Sequence, residues 1–213
     1  MSSKRRIGFL GPAGTFTEQA LLTQPDLADA TRIPFRTVPD VLDAVEANEV
    51  DLGFVPIENS IEGTVNYTQD ALVFDHELLI QREVVMDIEH CLLAPKGAQV
   101  GSIRTVHSMP VATAQCHEYL RTMLKQADIK AANSTAEAAQ TVAGLDDPSI
   151  AAVGPRAAAG HYGLEVIAEH IADHGSNQTR FVLVGKETIP QPTGHDRTAL
   201  VVFQRADEPG SLI

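Results

Sequence analysis

Tryptophan is absent, and the 213 residues include only 3 tyrosines and 7 phenylalanines, so the chain has little flat ring surface on which unpaired bases stack. Positive charge is also scarce: 16 basic against 28 acidic residues give a formal charge of -12, which makes phosphate backbones and anionic membranes poor partners. Two cysteines, Cys91 and Cys116, are too few for a disulfide framework, and a reducing cytoplasm is the expected setting. No apolar run is long enough to span a bilayer. At the start, "MSSKRRIGFLGPAG", only Ile7 to Leu10 is hydrophobic before glycine and proline intervene, which is too short for a signal peptide. HExxH, CxxC and calcium-loop patterns are missing as well, and neither metal nor cofactor is expected.

What is present is an alternation of short apolar runs with longer amphipathic stretches. "RRIGFL", "IPFRTV" and "VDLGFVPIE" read as strands. "TFTEQALLTQ", with Thr15 and Glu18 spaced as a capping box, and "PDVLDAVEAN" read as the helices between them, and "TVNYTQDAL" as a helix after the third. This order predicts a parallel sheet with helices on its faces. A second cycle follows. "LLIQREVVMDIEHCLLAP" reads as one long or two consecutive strands, "IRTVHS" as a strand and "PVATAQCHEYLRTMLKQ" as a helix. "NSTAEAAQTVAGL" reads as a helix capped by Ser134 and Glu137, and "SIAAVG", "PRAAAGHYG" and "LEVIAEHI" supply strand, helix and strand. Two α/β units joined by long strands predict two lobes with a ligand cleft between them, at the carboxyl ends of the strands.

Several loops carry polar groups to those ends. "GPAGTFTE" matches neither the dinucleotide nor the P-loop pattern and reads as a tight turn with a helix cap. "VPIENSIEGTVNYTQD" gathers Glu58, Asn59, Ser60, Thr64 and Asn66 where a buried strand ends. In "VHSMPVATAQC", Ser108 is a natural N-cap and Gln115, seven residues on, falls on nearly the same helical side. Cys116 aligns with Leu120, Met123 and Leu124 and is expected in the core. His107 reads equally as an acid or base and as a structural histidine. His170, Asp173 and His174 have metal-like spacing, but they follow a strand and lack a helix start, so a solvated loop is expected. Lastly, "SNQTRFVLVG" crowds polar side chains before a short buried strand.

Taken in order, "GPAGTFTEQA", "VPIENSIEGTVNYTQD", "VHSMPVATAQC", "GPRAAAGHYGLEVIAEHI" and "NQTRFVLVG" resemble prephenate dehydratase from about Ile7 to Gly185. The resemblance implies an α/β fold of two lobes like type II periplasmic binding proteins, with the site between them. It places a catalytic domain over about residues 1–190, with lobe one at about 1–80 plus 180–190 and lobe two at about 81–179. It implies a cytoplasmic lyase that converts prephenate to phenylpyruvate, carbon dioxide and water without a cofactor, and a homo-oligomer is expected. Thr179 carries over as the catalytic residue. Asn59, Ser60, Ser108, Gln115, Arg180 and Phe181 carry over as substrate contacts, and Glu58 is a candidate acid or relay behind Thr179. "DRTALVVFQRADEPGSLI" resembles the opening of an ACT regulatory domain over 196–213, with "RTALVVFQ" as a strand. There Gly210, Ser211, Leu212 and Ile213 match part of a phenylalanine site, and phenylalanine is expected to act only on a full-length form. Arogenate dehydratase and a non-catalytic bilobal ligand-binding protein remain alternatives.

Overall fold

Hydrophobic runs bounded by caps and turns become two sheets, each covered by helices on both faces. The computed structural model describes residues 4–27, 29–186 and 191–202. In chain order the first half runs β1 (Arg6–Leu10), α1 (Phe16–Leu22), β2 (Thr31–Phe35), α2 (Val38–Glu46), β3 (Leu52–Asn59), β4 (Gly63–Thr64), α3 (Asn66–Asp70) and β5 (Leu79–Asp87). Then follow β6 (Cys91–Ala94), β7 (Thr105–Ser108), α4 (Pro110–Gln115), α5 (His117–Met123), β8 (Asp128–Ala131), α6 (Thr135–Leu145), β9 (Ile150–Gly154), α7 (Arg156–Tyr162), β10 (Glu165–Ala168) and β11 (Gln178–Gly185).

The first sheet has the order β2-β1-β3-β11-β5, with β4 beside β3, and the second β10-β6-β9-β7-β8. Both follow one plan. Three parallel strands have the first of them in the middle, and the third is flanked by an antiparallel strand from elsewhere in the chain. This is the two-lobe, type II periplasmic-binding-protein-like α/β arrangement that the sequence predicts. Leu92, Leu93, Ala151, Ala152 and Val153 are fully buried because α4 and α5 cover one face of their sheet and α6 and α7 the other.

Local chemistry sets the helix starts. The Thr15, Thr37 and Ser134 hydroxyls accept from the backbone N–H three residues on, satisfying donors that the helix leaves free. Glu18 and Glu137 each reach back one residue past the cap, to Gly14 N at 2.6 Å and to Asn133 N at 3.1 Å, instead of closing a capping box on the cap's own N–H.

Four expectations change. β5 stays in the first sheet as far as Asp87, so the crossing between lobes falls at 88–90, later than the boundary near residue 80, and the return strand starts at Gln178. The helix read from Pro110 to Gln126 breaks at Cys116, whose ψ of 18° starts a new axis; Cys116, Leu120 and Leu124 are buried but Met123 is 57% exposed. β8 is exposed along its whole length and adds an edge strand beyond those the sequence predicts. Residues 197–202 form no strand, for none of the described strands pairs with them; they lie exposed, with Arg197 Nη1 2.9 Å from Glu83 Oε1. The expected effector residues Gly210 to Ile213 lie outside the described residues.

The lobes touch along a seam between the loop after β1 with α1 on one side and the length of α7 on the other. The Tyr162 hydroxyl donates to Ala13 O at 2.8 Å, and Ala157 N donates to Gln19 Oε1 at 3.3 Å. Gly14 sits at the tightest point. Its φ is +82°, and a Cβ there would lie 3.2 Å from both Ala158 Cα and Tyr162 Cε2. Gly14→Ala is expected to cost about 1–2 kcal/mol from backbone strain and crowding. Urea denaturation of both forms gives the difference, and equal midpoints would show that the seam tolerates a methyl group.

Candidate active site

The strand ends of lobe one meet the two crossing segments at one place. β11 runs antiparallel to β3 and β5, so its first residues lie beside their last: Thr179 is opposite Asn59 on one side and Met86 on the other. Thr179 is 8% exposed. The preceding turn is pinned by Ser60, whose hydroxyl donates to Ser176 O at 3.1 Å and accepts from Gln178 N at 2.9 Å. A second backbone bond, Ile88 N to Asn177 O at 2.8 Å, ties the two crossing segments together.

The side-chain hydrogen bonds there have a fixed polarity. Asn59 Oδ1 accepts from the backbone N–H groups of Ile61 and Glu62 at 2.9 and 3.0 Å, so its amide NH2 must face the other way. That NH2 donates to Thr179 Oγ1 at 2.8 Å and Asn177 Oδ1 at 2.7 Å. With its oxygen taken, Asn177 donates through Nδ2 to Gln115 Oε1 at 2.9 Å. Gln115 Oε1 also lies 2.9 Å from His90 Nε2. Since an amide oxygen only accepts, His90 Nε2 carries the proton. Two groups remain unspent: among the described residues, neither the Thr179 O–H nor the Gln115 NH2 has an acceptor. The cluster is therefore organised to donate.

Strand alternation sends the neighbours elsewhere. Arg180 is on the opposite face from Thr179, with Nη1 3.1 Å from Glu58 Oε2 and Nε 3.0 Å from Glu83 Oε1. Glu58 is thus the cross-strand partner of Arg180, on the face opposite Thr179. Phe181 returns to the Thr179 face one step deeper, 1% exposed and stacked on Phe54 with centroids 5.5 Å apart, so it supports the site from the core. Ser108 caps no helix: it ends β7, fully buried, with its hydroxyl donating to Val153 O at 2.8 Å. Thr64 and Asn66 are exposed in β4 and α3. Asp173 accepts from Glu118 N at 3.0 Å at the start of α5, and the described residues hold no His, Cys, Asp and Glu group suited to a metal.

His90 and Gln19 carry no signal in the sequence, and Asn177 shows there only as one member of the polar run before β11. A cavity of about 340 Å³ between the lobes is lined by Gln19, Glu89, Cys91, Arg156 and Ala157. Gln19 Nε2 contacts Met86 Sδ at 3.9 Å, and Met86 is the β5 neighbour of Thr179, which puts this cavity and Thr179 on one side of the first sheet. A larger cavity of about 400 Å³ lies away from this cluster, against α4, α5 and β8.

Two matching α/β lobes and a donor-lined cluster where the chain crosses between them define a bilobal domain built around a small-molecule cleft. Residues 7–189 match the prephenate dehydratase family, and the chain belongs to that family. It is 40% identical to the prephenate dehydratase of Mycolicibacterium smegmatis, over 98% of this chain and 69% of that protein. A crystal structure of prephenate dehydratase from Arthrobacter aurescens, in complex with L-Phe, superposes with a TM-score of 0.82 at 41% identity, covering 89% of this chain and 63% of that one. A structure described as a novel type of quorum quenching acylase superposes with a TM-score of 0.78 at 29% identity, covering 88% of this chain and 66% of that one. The chain thus spans about two thirds of the proteins it resembles.

The two thiols belong to the core. Burial pushes Cys116 up to about 12 and raises Cys91 as well. At pH 8 neither should hold a useful fraction of thiolate in the folded protein. A chromogenic disulfide reagent is expected to label neither within minutes and both once urea is added; prompt labelling of the native chain would place a thiol in an accessible, activated setting.

Proposed function

We propose that this domain catalyses the decarboxylating dehydration of prephenate, a carbon–oxygen lyase reaction, in the cytoplasm and as part of a homo-oligomer. The observation that supports this reading most directly is the Thr179 hydroxyl, which accepts from Asn59 and keeps its own proton unspent. In the reaction the ring carboxylate leaves as carbon dioxide, and the electron pair of the broken carbon–carbon bond enters the ring. The hydroxyl on the opposite ring carbon departs as hydroxide, which takes up one proton to become water. Aromatisation supplies the driving force, so the protein's task is to hold the substrate and stabilise the leaving oxygen.

Thr179 serves that oxygen. By accepting from Asn59 it becomes a better donor through cooperative polarisation, and the proton it lends is replaced from the medium. Gln115 presents N–H groups to an oxygen of the substrate side chain. Arg180, turned to the other face and neutralised by two glutamates, does not clamp the ring carboxylate that must leave. Ser60 and Ser108 act through the backbone they fix, the first holding the turn before Thr179 and the second holding β7 against β9.

The same polarity favours prephenate over arogenate, because an ammonium group in place of the keto oxygen would face donors at Gln115. An acylase reaction needs an activated nucleophile; both thiols here are buried, and Thr179 is bonded to an amide donor instead of a base. Phenylalanine is proposed as an effector of a form carrying the whole ACT domain, a reading supported by the complex of the Arthrobacter protein with L-Phe.

Thr179→Val keeps the side-chain shape and removes the donor. We expect kcat for phenylpyruvate formation, followed by its ultraviolet absorbance in alkali, to fall about 100-fold or more with KM little changed. Turnover near that of the wild type would remove Thr179 from the mechanism. With both substrates supplied in parallel, kcat/KM is expected to be higher for prephenate, and a preference for arogenate would reverse the assignment made from Gln115.

A further inference from the structure

We propose that His90 is a positioning residue for this cleft: its Nε2–H fixes the amide of Gln115 so that the Gln115 NH2 faces the substrate. The inference rests on the reading of the cleft given above and adds a residue that never touches the substrate.

An amide side chain can rotate by half a turn at little cost in shape, exchanging an oxygen for an NH2. In one orientation Gln115 offers two donors to the cleft; in the other it offers lone pairs, which repel a carboxylate or keto oxygen. Only the partners of Oε1 decide between them. One is Asn177 Nδ2 at 2.9 Å, whose own polarity is inherited from Asn59. The other is His90 Nε2, also at 2.9 Å. Both must lose a bond or meet an N–H if Gln115 flips.

His90 is suited to give this instruction. It is 3% exposed, it lies in the segment crossing between lobes, and its backbone oxygen accepts from Ile171 N at 3.1 Å. Its ring meets the Phe16 ring edge-on, with centroids 5.3 Å apart and planes at 84°. Nδ1 is buried without a hydrogen-bond partner, so nothing around it stabilises a second ring proton. Burial, the leading influence, holds the imidazolium below its ordinary range, although the bond to Gln115 opposes this. The ring therefore stays neutral near pH 7, with its one proton on the nitrogen that meets Gln115.

Two substitutions and a double-mutant cycle test the assignment. His90→Phe keeps a flat ring against Phe16 but has no N–H; His90→Gln can place an amide N–H near the former Nε2. For His90→Phe we expect kcat/KM for prephenate to fall about 10- to 30-fold, the size of one lost buried hydrogen bond that orients a substrate contact. His90→Gln should recover most of that loss. If His90 acts through Gln115, adding His90→Phe to Gln115→Ala should produce no further fall. A second readout needs no turnover. In the unliganded protein the nitrogen-15 side-chain amide signal of Gln115, assigned by its disappearance in Gln115→Ala, should shift in His90→Phe and stay near its native position in His90→Gln.

Unchanged kinetics with an unchanged Gln115 signal in His90→Phe overturns the proposal. So does a full additional loss in the Gln115→Ala background, which would make His90 a packing residue. Should the wild type fail to turn over prephenate, the reading of the reaction falls, and the amide signal still decides the part played by His90.

Discussion

Two backbone N–H groups, those of Ile61 and Glu62, hold the Asn59 oxygen and thereby set the direction of every other hydrogen bond in the cleft. Once that oxygen is committed, the Asn59 NH2 can only donate, so Thr179 and Asn177 must accept from it. Asn177 then donates onward, and Gln115 accepts from it and from His90. Backbone geometry in a loop is thus converted into the polarity of a reactive surface. The loop can do this because Asn59 is the last residue of a buried strand and Gly63 follows with a φ of +83°, allowing the chain to turn back.

The chain carries a formal charge of -12, yet the cleft is proposed to take a dianion. Neutral donors reconcile the two. A cation at the ring carboxylate would stabilise the very charge that must be lost, and the strand alternation that turns Arg180 away avoids this. Phe181 serves the same end from below. Stacked on Phe54, it anchors the start of β11 in the core, so that Thr179 is carried on a rigid element.

Much of this was legible in the sequence because its causes are local. Capping hydroxyls, apolar periodicity and turn residues specify the α/β units, and the five ordered motifs bring Asn59, Gln115 and Thr179 to attention together. The misreadings have causes of a different kind. β8 is an edge strand of four residues, all exposed, so its short Asp-Ile-Lys-Ala alternation marks no buried face. The break at Cys116 involves neither glycine nor proline. Ser108 looks like a cap but is taken by Val153 O, 45 residues away. The placement of Arg180 was recoverable, since consecutive strand residues face opposite ways. The roles of His90 and Asn177 were not, for although Asn177 stands in the polar run before β11, the partners of both lie 25 to 118 positions distant.

The connectivity of the first sheet also governs how the molecule is made. β11 lies between β3 and β5, yet its pairing with β3 joins residues 120 to 131 positions apart, and lobe two occupies the interval. A nascent chain that has completed β5 holds only part of a sheet, with an edge open along β3. Lobe two can fold in the meantime on contacts of its own, and in doing so it brings Ile88 and Asn177 together, which shortens the loop that β11 must close. Insertion of β11 then seals the sheet and delivers Thr179 to Asn59 in one step. The cleft therefore cannot be assembled before β11 is present, and chains interrupted before that strand retain an exposed β edge prone to pairing with others.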